Sequence, residues 1–244
     1  MVTEEKKQKS GIYLLPNLFT TAGLFAGFYA VVAAIRGDFE SAAIAIFIAM
    51  VMDGLDGRIA RMTNTQSAFG AEYDSLADMV SFGLAPALVV YQWALLSMGK
   101  VGWMVAFIYA ACGALRLARF NTQVGISDNR SFQGLPSPAA AACIAGWVWA
   151  GTNNGLSESV ATGVALPLTF ACGILMVSTL RYHSFKELDL RGKVPFVVML
   201  VLVLVFALIA TDPPLILFAG FLIYAISGPI LTLTKLKQHK SDRK

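Results

Sequence analysis

Residues 53–78 read DGLDGRIARMTNTQSAFGAEYDSLAD, and they place four aspartates, two arginines and several small residues between two apolar runs. Asp53 and Asp56 are three positions apart, and Asp74 and Asp78 four, so on a helix each pair shares one face. Two such faces turned toward each other form a cage of carboxylate oxygens. A cage of that kind suits a hard divalent cation such as Mg²⁺ or Mn²⁺. The spacing therefore predicts a metal-dependent site for phosphoryl chemistry at a membrane surface.

Composition fixes the setting. The chain has 244 residues, 57% hydrophobic and 14% charged, with a mean hydropathy of +0.65. Soluble domains carry about 25% charged residues, and here the apolar residues run in long blocks, as in a polytopic membrane protein. In that setting the net charge of +4 belongs to loops at one membrane face rather than to a nucleic-acid surface. Cys112, Cys143 and Cys172 lie inside apolar segments without metal-ligand spacing and are expected to pack as small core residues. His183 and His239 lie far apart in polar segments and are expected to play no part in chemistry. The apolar run after the charged N-terminal stretch lacks a cleavage pattern, so it is expected to be a retained helix.

Apolar blocks fall at 14–35, 41–60, 75–97, 101–120, 138–151, 159–180, 194–210 and 214–233. A spanning helix needs about 20 residues, and helices satisfy their own backbone polar groups where water is absent. The expected fold is thus an all-α polytopic membrane protein of about eight transmembrane helices, forming one catalytic domain. Of the 19 Lys and Arg, Arg36 and Lys100 fall on one side and the other 17 on or near the opposite side. That bias predicts an integral membrane protein with both termini and the acidic site facing the cytoplasm. Residues 1–13 form an interfacial N-terminal segment, and the basic tail 234–244 is expected to lie against anionic headgroups. The segment 181–193, of mixed charge, is expected to be a solvated connector.

Ionisable groups at the ends of membrane helices cost several kcal/mol each unless paired or hydrated, so they point to function. A buried ion-pair cluster with Arg58 and Arg61 is the plainer alternative, but four acids against two bases leave a net negative pocket that a cation would neutralise. Gly57 and Ala60 keep bulk off the stripe that follows the first acid pair, although close helix packing would also use them. Arg61 sits at the cytoplasmic mouth and suits phosphate oxygens. The polar run between Met62 and Phe69 is long enough to reverse the chain, with Gly70 giving the turn its freedom. In the first helix, Asn17 and Thr20 follow Pro16 as either an interfacial helix start or a substrate contact. In ALRLARFNTQ, residues 114–123, Arg116 and Arg119 share a face beside Asn121, and Arg116 lies nearly a turn into apolar sequence. All three are candidates to bind a carboxylate or phosphate, with positive-inside bias an adequate account of Arg119.

The pattern Asp53-x2-Asp56-Gly57-x2-Ala60-Arg61-x8-Gly70-x3-Asp74-x3-Asp78, with eight fixed positions, resembles the signature of the CDP-alcohol phosphotransferase family without gap or substitution. Together with PNLFTTAGLFAGF at 16–28 and NRSFQGLPSPAAA at 129–141, the first 150 residues or so are similar to the integral-membrane phosphatidylserine synthases of that family. The resemblance implies a two-metal site of Mg²⁺ or Mn²⁺ held by Asp53, Asp56 and Asp74. Asp78 would complete it and serve as general base. It implies that Gly57, Ala60, Arg61 and Gly70, with Asn17 and Thr20, receive a CDP-linked lipid, CDP-diacylglycerol. L-Serine would be the acceptor, giving phosphatidylserine and CMP. It also implies a homodimer, in a bacterial inner membrane, built on a six-helix core (14–180) to which the helix pair 194–233 is an addition. Glycerol 3-phosphate, inositol phosphate or choline are the alternative acceptors, and a divalent-cation transporter is the remoter reading.

Overall fold

The computed structural model describes residues 14–123, 131–183 and 196–241. Among these, eight helical blocks coincide with the eight apolar ones. They are α1 (Leu14–Ile35), α2 (Phe39–Met62), a composite third block, α5 (Lys100–Gln123), α6 (Ser137–Asn153), α7 (Glu158–Val177), α8 (Phe196–Thr211) and α9 (Pro213–Ser241). The third block runs through α3 (Ala68–Asp78), a π-helical stretch at Met79–Leu84, α4 (Ala85–Val90), a second π-helical stretch at Tyr91–Leu95 and a final tight turn. Five blocks are long and apolar enough to cross a membrane: α1, the third block, α5, α7 and α9. α2 carries too many charges for that test, and α6 and α8 have 17 and 16 residues.

α1 meets its neighbours through small residues. Gly23, Ala26, Gly27, Ala30 and Ala34 line its buried face, opposite Ala42, Ala45 and Ala49 of α2. Without a hydrophobic driving force between helices in lipid, such faces associate by letting backbones approach. A Cβ on Gly23 would rest in ordinary contact 3.6 Å from the Ala49 carbonyl oxygen. One on Gly27 would fall 2.5 Å from Ser81 Oγ and 2.7 Å from Ser81 Cα, so no side chain fits there. Ser81 Oγ donates to the Gly23 carbonyl at 3.1 Å, which fixes the third block against the first.

The chain reverses between α2 and α3 at residues 63–66, and the backbone freedom needed comes from Asn64, at φ 54°. This corrects the expectation for Gly70, which lies within α3 and whose N–H is capped by Ser67 Oγ at 3.0 Å. A second departure concerns the connectors. Ser131–Gln133 (β1) and Arg181–His183 (β2) form an antiparallel ribbon, Phe132 opposite Tyr182. Tyr182 is fully buried and its hydroxyl donates to the Ala225 carbonyl of α9 at 2.9 Å. The start of the supposed solvated connector is therefore a packed element, because the ribbon turns one aromatic ring inward against α9. The rest of it, residues 184–195, lies outside the described residues, as do 1–13 and 242–244.

α9 packs along α6 closely enough that a Cβ on Gly146 would sit 2.9 Å from Phe218 Cα. It also continues helical to Ser241, past the expected end of the apolar block. α8 touches mainly α9 and leaves most of its described side chains exposed.

Candidate active site

The C-terminal half of α2 and the whole of α3 lie on either side of the reversal, and so bring their acids together. Asp53, Asp56 and Asp74 each offer a carboxylate oxygen within 4.8 Å of the other two. Asp56 is buried, 5% exposed, and its Oδ2 accepts from Thr20 Oγ1 at 2.7 Å. The same hydroxyl lies 3.2 Å from the Pro16 carbonyl; having one proton, it serves the shorter, charged contact. Asp74 Oδ1 is buried with no hydrogen-bond partner among the described residues. A set of three convergent carboxylates with an orphaned oxygen is a donor set for a hard cation, so these residues fit the Mg²⁺ or Mn²⁺ implied above.

Asp78 follows Asp74 by one turn and lines the same small cavity, of about 10 Å³, together with Thr20, Gly23, Asp53 and Ser81. Its charged neighbours are Asp53, Asp74 and Arg116. Arg116 is only 9% exposed; one guanidinium nitrogen donates to Ser137 Oγ at 2.9 Å, and Nε has no partner among the described residues. A larger hollow of about 740 Å³ lies at the opposite end of the molecule, beside Ser97, Met98 and Thr162. Glu158 is its one acid, so it offers no comparable cage.

The remaining candidates divide. Gly57 is exposed, and a Cβ there would meet nothing within 4 Å, so the face of α2 beyond the acids is open. Arg61 is exposed at the end of that helix and Ala60 half-buried. Asn17 stands beside Gly70, its Oδ1 3.5 Å from where a Cβ would be. Asn121 exchanges hydrogen bonds with Ser75 Oγ at 3.1–3.2 Å, tying α5 to α3. Arg119 is turned to the backbone: it donates to the carbonyls of Val177 (3.1 Å), Gln133 (3.1 Å) and Ser178 (3.3 Å). Those bonds join α5 to the end of α7 and to the ribbon, away from the carboxylates.

Two polar partners at this end went unnoticed in the sequence. Ser137 stands at the first turn of α6, and its hydroxyl holds Arg116. Its Pro-Ser-Pro setting marked only a helix start. Ser75, adjacent to Asp74, carried no signal, because its partner is supplied by another helix.

A sequence model described as CDP-alcohol phosphatidyltransferase matches residues 13–175. The chain is similar to a protein of Helicobacter pylori strain J99 named CDP-diacylglycerol–serine O-phosphatidyltransferase, 38% identical over 231 residues, 94% of this chain and 97% of the relative. It is also similar to a Bacillus subtilis protein of the same name, 33% identical over 71% of this chain and 92% of the relative. An archaetidylserine synthase of Methanothermobacter thermautotrophicus is 32% identical over 72% of each chain. With the four aspartates of the signature lining one cavity and the match spanning most of its length, this chain belongs to the CDP-alcohol phosphatidyltransferase family.

Proposed function

We propose that the chain transfers the phosphatidyl group of CDP-diacylglycerol to L-serine, releasing phosphatidylserine and CMP. The observation that carries the proposal is Asp78, which shares the cavity of the acid trio and has among its charged neighbours a buried arginine with a donor to spare. Relatives named for transfer to serine, matched over nearly their whole length, support the choice of acceptor. Asp78 takes the proton from the serine hydroxyl as that oxygen attacks the lipid-linked phosphorus and the phosphoanhydride bond breaks. Arg116 faces the acceptor carboxylate, a geometry that leaves the hydroxyl toward Asp78. Gly57, Ala60 and Arg61 bound the open face of α2 on which the cytidine diphosphate lies, with Asn17 and Gly70 at its edge. Asp53, Asp56 and Asp74, with Asp78 completing the set, would hold a pair of Mg²⁺ or Mn²⁺ ions, whose positive charge would neutralise the diphosphate.

The setting we infer is a bacterial inner membrane crossed eight times, with termini and site on the cytoplasmic side and two copies forming a homodimer. The basic bias supports the orientation: among the described residues Arg58, Arg61, Arg116 and Arg119 stand toward the acids' end of their helices, whereas Arg36 and Lys100 stand at the opposite end. The test is CMP release by purified protein given CDP-diacylglycerol with serine, glycerol 3-phosphate, inositol phosphate or choline. Serine alone is expected to support turnover, and Asp78→Asn to abolish it. Exclusive use of another alcohol would overturn the acceptor, full activity in Asp78→Asn the base, and metal uptake into vesicles without CMP release the enzyme itself.

A further inference from the structure

Behind the site, α5 lies against the third block along a seam that the mechanism above leaves unused. The stretch that begins right after Asp78 is in π register, the Ala85 N–H bonding the Val80 carbonyl, and the residue that follows, Pro86, has no N–H to give. The carbonyl of Phe82, within that stretch, receives the hydroxyl of Tyr109, a fully buried side chain of α5, at 2.9 Å. One turn further along α5, a Cβ on Gly113 would lie 3.4 Å from Gly83 Cα, so the two backbones touch where both residues are glycine. Arg116 is seven residues from Tyr109, two turns on the same face. It comes to lie beside Asp78, four residues before Phe82.

We propose that Tyr109 is a positioning residue: its bond to the Phe82 carbonyl sets the depth of α5 against the third block, and so holds Arg116 near Asp78. The glycine contact alone permits sliding, since it has no direction. The hydrogen bond has one, and buried carbonyls resist going unpaired. Misplacement by about an ångström at a positioned group can cost 100-fold in rate. Here the group displaced is the one facing the acceptor, while the open face of α2 that takes the nucleotide keeps its place. The inference rests on the acceptor reading of Arg116 given above.

The test is Tyr109→Phe, with KM measured separately for serine and CDP-diacylglycerol. Tyr109→Phe is expected to raise the KM for serine about tenfold and to change that for CDP-diacylglycerol by less than about twofold. Equal loss toward both substrates, or no loss, would overturn the proposal. Thermal unfolding in detergent identifies a variant that has failed to fold, and the comparison is then made with Tyr109→Met, which also lacks the hydroxyl and adds no bulk. If wild-type protein uses another alcohol, the acceptor reading fails by itself, and the KM for that alcohol becomes the readout for Tyr109.

Discussion

Thr20→Val removes one hydroxyl and little volume. The hydroxyl in question donates to Asp56 Oδ2 at 2.7 Å from a position only 5% exposed, so water does not replace it. A hydrogen bond to a charged group contributes about 1.5–3 kcal/mol, and a tenfold change in affinity corresponds to about 1.4 kcal/mol. Losing a bond that orients a ligating carboxylate should therefore weaken metal binding roughly 10- to 100-fold, in line with other outer partners of metal ligands. The assay is CMP release at saturating CDP-diacylglycerol and serine as Mg²⁺ or Mn²⁺ is titrated into chelator-treated protein. Half-maximal activity should need that much more metal in Thr20→Val, with the plateau largely recovered, and Thr20→Ser should stay near wild type. An unchanged metal titration together with a raised KM for CDP-diacylglycerol would refute the reasoning, and would assign Thr20 to the lipid as its sequence position first suggested.

Arg116→Gln should lower kcat/KM for serine roughly 100-fold, the cost of about two charge-assisted hydrogen bonds, while the KM for CDP-diacylglycerol stays within about twofold. Parallel loss toward both substrates would place this arginine elsewhere. Gly27→Ala should destabilise the protein by about 1–3 kcal/mol, read as earlier thermal unfolding in detergent, because its Cβ would strike Ser81. Gly23→Ala, with only ordinary contacts to make, should unfold near wild type.

The acids were legible in the sequence because the helix period alone places Asp53 with Asp56 and Asp74 with Asp78, and one polar reversal is enough to bring the pairs together. The helical blocks were legible for a related reason: in lipid no other local structure satisfies the backbone of a long apolar run. Partners that arrive from a different helix were not. Thr20 looked like a substrate contact, and its carboxylate partner is 36 residues away. Arg119 has the same residue type and helical face as Arg116, yet its acceptors are main-chain carbonyls some 14 to 59 residues distant. Gly70 seemed the natural pivot of the reversal, whereas Asn64 has the positive φ. No periodicity announces a three-residue ribbon whose halves are separated by about fifty positions.

That ribbon bears on the order in which the protein comes into being. A nascent chain that has not yet delivered Val177 already holds the four aspartates of the site with Arg116 and Arg119, but β1 has nothing to pair with and Arg119 lacks its acceptors at Val177 and Ser178. The cation cage can assemble as soon as the first three helical blocks are inserted. The acceptor end proposed above closes only after α6 and α7 have been added, so ribosomes stalled short of residue 177 should display a protein that retains metal yet does not recognise its alcohol.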